Sequence, residues 1–266
     1  MTKIIIAGAG GRMGRTILKL ALEDPEIKVT GAFEKSDHPA VGHDAGEWAG
    51  SSRIHVPVHS NLRECVKHGD VVIDFTHPIS TAQNLKTARD ARKGLVIGTT
   101  GLSDAFIREL KKAAKKITIV QSPNMSLGVN LLFSLTELAA RILDNSYDVE
   151  IVEAHHRHKK DAPSGTALEL IRQIARGRKM SLESNVVFGR KGETGARKKG
   201  TIGVHAVRGG DVVGDHTVSF LTEGERVELI HRASSREAFA KGALLAAKFV
   251  AKKRSGFYNM QQVLGL

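Results

Sequence analysis

Lys3-Ile-Ile-Ile-Ala-Gly-Ala-Gly-Gly-Arg-Met-Gly14 is an apolar, β-branched run that breaks into glycines and leads to a helical pattern through Ile17, Leu18 and Leu22. Strand, glycine turn and helix, in that order, form a pyrophosphate cradle: glycines let the backbone approach, and the helix start presents unpaired N–H groups. The spacing is not the commonest one. Read as Gly8-x-Gly10-x-x, the chain has Met13 where a third glycine belongs, whereas Gly8-x-x-Gly11-x-x-Gly14 fits. A glycine turn alone is also an ordinary tight turn, so context decides. The next strand, Lys28-Val-Thr-Gly-Ala-Phe33, ends in Glu34, about 20 residues after Gly14, where an acid binds the adenosine ribose diol. Lys35 follows, and its ammonium suits the 2′-phosphate of NADP. The pair Glu34-Lys35 therefore points to tolerance of both NADH and NADPH.

Further strand-helix units follow. Asp70-Val-Val-Ile-Asp-Phe75 leads to a helix from about Ser80, and Gly94-Leu-Val-Ile-Gly-Thr-Thr100 to one from about Ser103. Such alternation implies an α/β architecture, a right-handed parallel sheet covered on both faces. Ligands bind at the carboxyl ends of these strands. Here those ends carry Asp74-Phe-Thr76, Gly98-Thr-Thr-Gly101 and Gln121-Ser-Pro-Asn124. Each alone is an unremarkable turn, but all must lie along one edge with the Gly8 loop. Gly98 to Thr100 and Ser122 to Met125 are then expected to meet the nicotinamide half of a cofactor, through backbone groups and the Asn124 amide.

Beyond Asn124 the pattern becomes α+β. Ser126 to Leu143 reads as one amphipathic helix, Asp148 to Ala154 as an alternating strand, and Ser164 to Arg178 as a helix. Thr201 to Val207, His216 to Thr222 and Arg226 to Arg232 read as strands, the last two joined by a hairpin loop at Glu223-Gly-Glu225. A final helical pattern, Ser235 to Lys253, is a packing helix.

Chemistry concentrates in Glu153-Ala-His-His-Arg-His-Lys-Lys-Asp-Ala-Pro-Ser-Gly-Thr166. His155 and His156 diverge unless the strand ends between them. Pro163 stops regular structure, Ser164 or Thr166 is placed to cap the next helix, and Thr166-Ala-Leu-Glu169 fits a capping box. A helix start beside imidazoles and the Lys159 ammonium, with Gly165 blocking nothing, suits a carboxylate or phosphate and adds proton transfer. The same residues also read as a solvated basic loop. A zinc reading would use His156 and His158, but no cysteine or third ligand stands near at ligand spacing, so no metal is expected.

With 266 residues, the chain has room for one large or two modest domains. No apolar run is long enough for a membrane span, and Ile4 to Ala7 is too short for a secretory core, so a cytoplasmic protein is expected. The single cysteine, Cys65, excludes an intrachain disulfide and a thiolate-rich metal site, and reads as a packed small residue. Lys and Arg number 40 against 28 Asp and Glu, a net charge of +12 that raises nucleic acid as a partner. The basic clusters are scattered and aromatic residues are few, so no nucleic-acid partner is expected and anionic small molecules fit better.

Taken in order, the Gly8 loop, Asp74-Phe-Thr76, Gly98-Thr-Thr-Gly101, Pro123-Asn-Met-Ser-Leu-Gly128 and the His155 block resemble the dihydrodipicolinate reductase family. The similarity continues through Arg208-Gly-Gly, Gly214-Asp-His216 and His231-Arg-Ala-Ser-Ser-Arg236, so it runs end to end. The resemblance implies acid/base work for His155 and proton donation for Lys159. It implies substrate contacts from His156, Gly165 and Thr166. Cofactor contacts would come from Gly8, Ala9, Gly10, Gly11, Arg12, Met13, Glu34, Gly98, Thr99, Thr100, Ser122, Pro123, Asn124 and Met125. Lys35 stands where many members have Arg, which leaves the choice between NADH and NADPH open.

The implied fold is a Rossmann dinucleotide-binding domain, residues 1–126 and 235–266, whose last helix returns from the C-terminal segment. Residues 127–234 would bind substrate and build a homotetramer. The implied substrate is a cyclic imine with two carboxylates, reduced by hydride and then protonated by Lys159 or protonated His155, in diaminopimelate and lysine biosynthesis. A different Rossmann reductase of an anionic imine, such as aspartate dehydrogenase, would keep the glycine loop but has no reason to keep the His-His-Arg-His-Lys block.

Overall fold

The computed structural model describes residues 1–182 and 185–266. In chain order the elements are β1 (Thr2–Ala7), α1 (Arg12–Glu23), β2 (Ile27–Phe33), α2 (Ala45–Trp48), β3 (Val58–His59), β4 (Val71–Asp74), α3 (Pro78–Asp90), β5 (Gly94–Ile97), α4 (Asp104–Ala113) and β6 (Thr118–Gln121). Then come α5 (Leu127–Ile142), β7 (Asp148–His155), α6 (Gly165–Arg178), β8 (Val186–Phe188), β9 (Ile202–Arg208), β10 (Gly214–Thr222), β11 (Glu225–Ala233), α7 (Glu237–Ala251), β12 (Gly256–Tyr258) and α8 (Met260–Leu264). The chain divides into two compact units, Met1–Leu127 with Arg236–Leu266, and Gly128–Ser235.

The first unit is built on a seven-stranded sheet in the order β12-β6-β5-β4-β1-β2-β3, every pairing parallel. The unbroken apolar run of β1 follows from burial on both faces. Ile4 and Ile6 join one core, with α1 residues Ile17, Leu18 and Ala21 and α7 residues Ala243, Leu244 and Ala247. Ile5 and Ala7 join the other, with Leu85 and Ala88 of α3 and Leu110 and Ala113 of α4. The segment that follows the second unit thus supplies a covering helix, α7, and an edge strand, β12. Gly242 lets α7 approach closely, since a Cβ there would overlap the Met125 carbonyl oxygen.

In the second unit a mixed sheet runs β11-β10-β7-β9-β8, with β10 antiparallel to both its neighbours and β7, β9 and β8 mutually parallel. One face is dry: Val149 and Ile151 of β7, Val204 of β9 and Phe220 of β10 pack with Leu132 and Phe133 of α5 and Leu170 and Ile174 of α6. The register puts Val152, Val207 and Ile230 together on the other face, where each is at least 40% exposed. Strand β7 ends between His155 and His156, so the alternation that would send their side chains to opposite faces stops there. Ser164, not Thr166, caps α6, its hydroxyl accepting from the Ala167 N–H at 3.1 Å. The capping box at Thr166 to Glu169 is therefore corrected: Thr166 lies inside the helix, and Glu169 instead accepts from Arg172, Gln173 and Arg176. Among the described residues no helix is long and apolar enough to cross a membrane.

Candidate active site

The glycine loop follows β1 at the carboxyl edge of the first sheet. Gly8 has φ +71°, a conformation that favours glycine, and Gly11 stands at the N-cap of α1 with no side chain over the helix start. Gly14 is required by proximity: a Cβ there would overlap the Gly8 carbonyl oxygen and lie 2.8 Å from Ala9 Cα. Gly10 carries the His38 ring against it, and its N–H donates to Glu34 Oε2 at 3.0 Å. The other Glu34 oxygen accepts from the Lys35 N–H, so the carboxylate is fixed beside the loop. Lys35 itself reaches Asp37 at 3.3 Å on the surface.

A cleft of about 860 Å³ brings Gly8, Gly11, Glu34, Lys35 and Thr76 together with Arg63. Gly98 to Thr100 and Ser122 to Met125 lie along the same sheet edge but outside that cleft. The Met13 and Met125 side chains turn into the core, leaving their backbone for any ligand, and Arg12 and Pro123 are exposed. Asp74, which the sequence offers only as a turn residue, organises this edge. Wholly buried, it accepts from the Thr76 N–H at 2.9 Å, from Asn84 at 2.9 Å and from Thr99 at 3.2 Å. Thr81 in turn meets Thr99 at 3.0 Å. The glycine loop, the fixed acid and the cleft fit the adenosine and pyrophosphate of a dinucleotide.

In the second unit β7 aims Glu153 and His155 at the same face, two residues apart. Glu153 is 0% exposed, and its carboxylate receives four contacts from three residues. His155 Nδ1 lies 2.5 Å away, Arg208 donates from both terminal nitrogens at 2.8 and 2.7 Å, and the Ser164 N–H donates at 3.0 Å. Burial alone would raise this carboxyl, but the bonds from His155 and Arg208 prevail and hold it at about 2. An ionised carboxylate only accepts, so the proton in this contact belongs to His155 Nδ1, and Nε2 is the exchangeable position.

His216, 3% exposed, sets its ring edge-on to His155 at 5.2 Å and places Nε2 3.1 Å from Ser164 Oγ. Burial, and the His155 ring next, push it down to about 3, which keeps it neutral. Arg208 also donates to the Asp161 carbonyl at 2.7 Å, tying β9 to the loop that carries Lys159. Lys159 pairs with Asp161 at 2.9 Å. The His156 backbone N–H donates to the Val212 carbonyl, and its ring lies 6.2 Å from that of His158. Nothing stands within 4 Å of a Cβ built on Gly165, so the start of α6 is open, with Thr166 beside it nearly buried. Among the described residues no group of three or more His, Cys, Asp or Glu side chains is placed to hold a metal.

The sequence reading gives Glu153, Arg208, His216 and Ser164 no chemical role in proton transfer. For Glu153 a signal exists, the two-residue spacing to His155 on a strand. Arg208 and His216 reach the cluster only through pairing of β9 and β10 with β7.

Comparison with known proteins agrees across the chain. Residues 2–125 match the family described as dihydrodipicolinate reductase, N-terminus, and 128–264 its C-terminus. A 4-hydroxy-tetrahydrodipicolinate reductase from Syntrophus aciditrophicus is 46% identical over 265 residues, covering 100% of this chain and 99% of that one. One from Nitrosomonas eutropha is 48% identical, covering 100% and 99%. Among solved structures, a dipicolinate-bound dihydrodipicolinate reductase from Paenisporosarcina sp. TG-14 superposes with a TM-score of 0.77 at 26% identity, covering 98% of each chain. An amine dehydrogenase from Mycobacterium smegmatis, with a TM-score of 0.64 at 13% identity over 97% of this chain and 95% of that one, shares the fold alone. The chain belongs to the dihydrodipicolinate reductase family, the NADH- or NADPH-dependent 4-hydroxy-tetrahydrodipicolinate reductases of diaminopimelate and lysine biosynthesis.

Proposed function

We propose that the Gly8 loop, Glu34 and the Gly98 and Ser122 segments hold the reduced cofactor, and that the His155 block holds the substrate and supplies its proton. When bound, the reduced nicotinamide supplies hydride. The substrate is the conjugated cyclic imine left when 4-hydroxy-tetrahydrodipicolinate loses water. Its two carboxylates need cationic and N–H donors, which His156, Lys159 and the open Gly165-Thr166 turn provide. Hydride arrival at a ring carbon leaves an enamine, and Lys159 or protonated His155 delivers the proton that completes tetrahydrodipicolinate.

The observation that carries this reading is the uncovered start of α6 at Gly165, adjoining an imidazole whose Nδ1 proton is fixed by Glu153. For the cofactor, Glu34 is fixed where a ribose diol would be met, and Lys35 is engaged by Asp37, so NADH is expected to serve at least as well as NADPH. The exposed Val152, Val207 and Ile230 on the second unit's open sheet face support a homotetramer built through that face. A cytoplasmic enzyme acting on a small dicarboxylate, without a nucleic-acid partner, fits the scattered basic surface.

The test is oxidation of NADH and NADPH with substrate made in place from pyruvate and aspartate semialdehyde by the preceding enzyme. Loss of nicotinamide absorbance only when both precursors are present is expected, with the NADH rate at least equal to the NADPH rate. Turnover with oxaloacetate and ammonia alone would overturn the reading in favour of an aspartate dehydrogenase.

A further inference from the structure

We propose that Glu153 is a positioning residue for proton transfer: locked by Arg208, it holds the His155 imidazole in a single tautomer with Nε2 as the atom that exchanges a proton with substrate. This rests on the reading of His155 as the acid/base group. Three hydrogen bonds from two residues fix the carboxylate before His155 is considered. Arg208 grips it with both terminal nitrogens, and the Ser164 N–H at the start of α6 takes one oxygen again. Arg208 is itself held from the other side by the Asp161 carbonyl. A carboxylate so surrounded has no proton to give and little freedom to rotate, so the imidazole must donate from Nδ1.

The surroundings of the opposite nitrogen fit the same role. A Cβ built on Gly214 of β10 would sit 3.0 Å from His155 Nε2, so glycine there leaves that atom uncrowded. The groups that face the ring are Glu153 on β7, Arg208 on β9 and His216 on β10, and His231 on β11 and Lys159 in the loop lie close enough to His216 to act on its charge. His216 is neutral, and the Arg208 charge is spent on Glu153. The Glu153 carboxylate is therefore the group in direct contact that favours an imidazolium when Nε2 is protonated. A buried carboxylate that orients an imidazole and stabilises its charged form is the arrangement that, in hydrolytic triads, selects the productive tautomer.

Glu153→Gln tests this. Turnover should fall by about 10²-fold or more, within the range of general acid/base contributions, while the KM for NADH changes little. The limb of the kcat–pH profile carried by His155 should move to lower pH, because the variant removes a negative neighbour and leaves the Arg208 charge uncompensated. A merely structural role would lower the melting temperature and leave that limb in place. Nitrogen-15 NMR of the wild-type ring should report the Nδ1–H tautomer, an outcome independent of whether the variant folds. Arg208→Lys, which keeps charge but loses the fork, should show a weaker form of the same defect. His155→Ala separates the two levels of argument. If it retains wild-type turnover, the acid/base reading fails; if it is crippled while Glu153→Gln keeps wild-type kcat and pH limb, only the positioning role fails. The double variant should be no slower than His155→Ala, and a further independent loss, or an Nε2–H tautomer in the wild type, would overturn the proposal.

Discussion

His216 shows how a single buried side chain leaves a signature on the stability of this protein. In the unfolded chain its imidazole titrates near 6.5, whereas burial and the neighbouring His155 hold it at about 3 in the fold. Between those values the unfolded chain binds a proton that the folded chain refuses. Stability is then fully present above the unfolded value and declines as pH falls toward the folded one. The slope is about 1.4 kcal/mol per pH unit for one such group. Between about pH 6.5 and about pH 5.5, above the unfolded value of carboxyls such as Glu153, the loss should reach about 1 kcal/mol. Urea midpoints across that window should therefore fall for the wild type and fall less for His216→Gln. His231, lowered in the same direction by burial, retains a residual slope in both. Parallel curves would mean that His216 is charged in the fold. None of this is visible in the sequence, where His216 is one polar residue in an alternating strand. His155, Lys159 and the Pro163 break declare themselves because they are contiguous. Their supports on β9 and β10 do not, because strand pairing and not sequence distance brings them in.

The contact of α1 with the glycine loop is where an element depends on one missing side chain. Both obstacles to a Cβ on Gly14, the Gly8 carbonyl and Ala9 Cα, are backbone, so no flexible neighbour can yield. Gly14→Ala should lift the start of α1 from the loop, costing about 1–3 kcal/mol as an overpacked core position does. Because the same N–H groups are proposed to meet the pyrophosphate, NADH affinity should drop by about tenfold or more. Urea denaturation and quenching of Trp48 fluorescence measure the two effects, and wild-type values for both would contradict a close approach. The long elements were legible because each repeats its period several times, and the apolar runs Ile4 to Ala7 of β1 and Val71 to Ile73 of β4 are explained by burial on both sheet faces. Five short elements were not. The two residues of β3 and the three each of β8 and β12 cannot display alternation, and each exists as a strand only because a parallel neighbour completes it. The four-residue α2 depends on Asp44, whose carboxylate accepts from Gly46 and Glu47, and α8 on the Asn259–Gln262 capping box.

At the scale of the whole molecule, the chain folds into units whose cores draw on separate residues. Two apolar clusters sandwich the parallel sheet of the first unit, and a third lies between the mixed sheet and α5 and α6 of the second. Both ends of the chain belong to the first unit, and the second is an uninterrupted segment between them. The groups proposed to meet substrate, His155, Lys159 and Gly165, all fall in that segment, and the glycine loop and Glu34 fall outside it. A ligand that binds only one folded unit stabilises that unit by mass action, about 2.7 kcal/mol at a concentration of 100 Kd. For a unit of this size that corresponds to roughly 5–10 °C. The protein has one tryptophan, Trp48, and it packs against the first unit's core, so its fluorescence reports that unit. NADH should raise the Trp48 transition by that amount. Dipicolinate, as a dicarboxylate proposed to bind the second unit, should leave the Trp48 transition near its original temperature and raise a component seen by far-ultraviolet dichroism. If either ligand moves both probes together, the two cores unfold as one cooperative system, and the separation of cofactor and substrate functions between independently stable units is wrong.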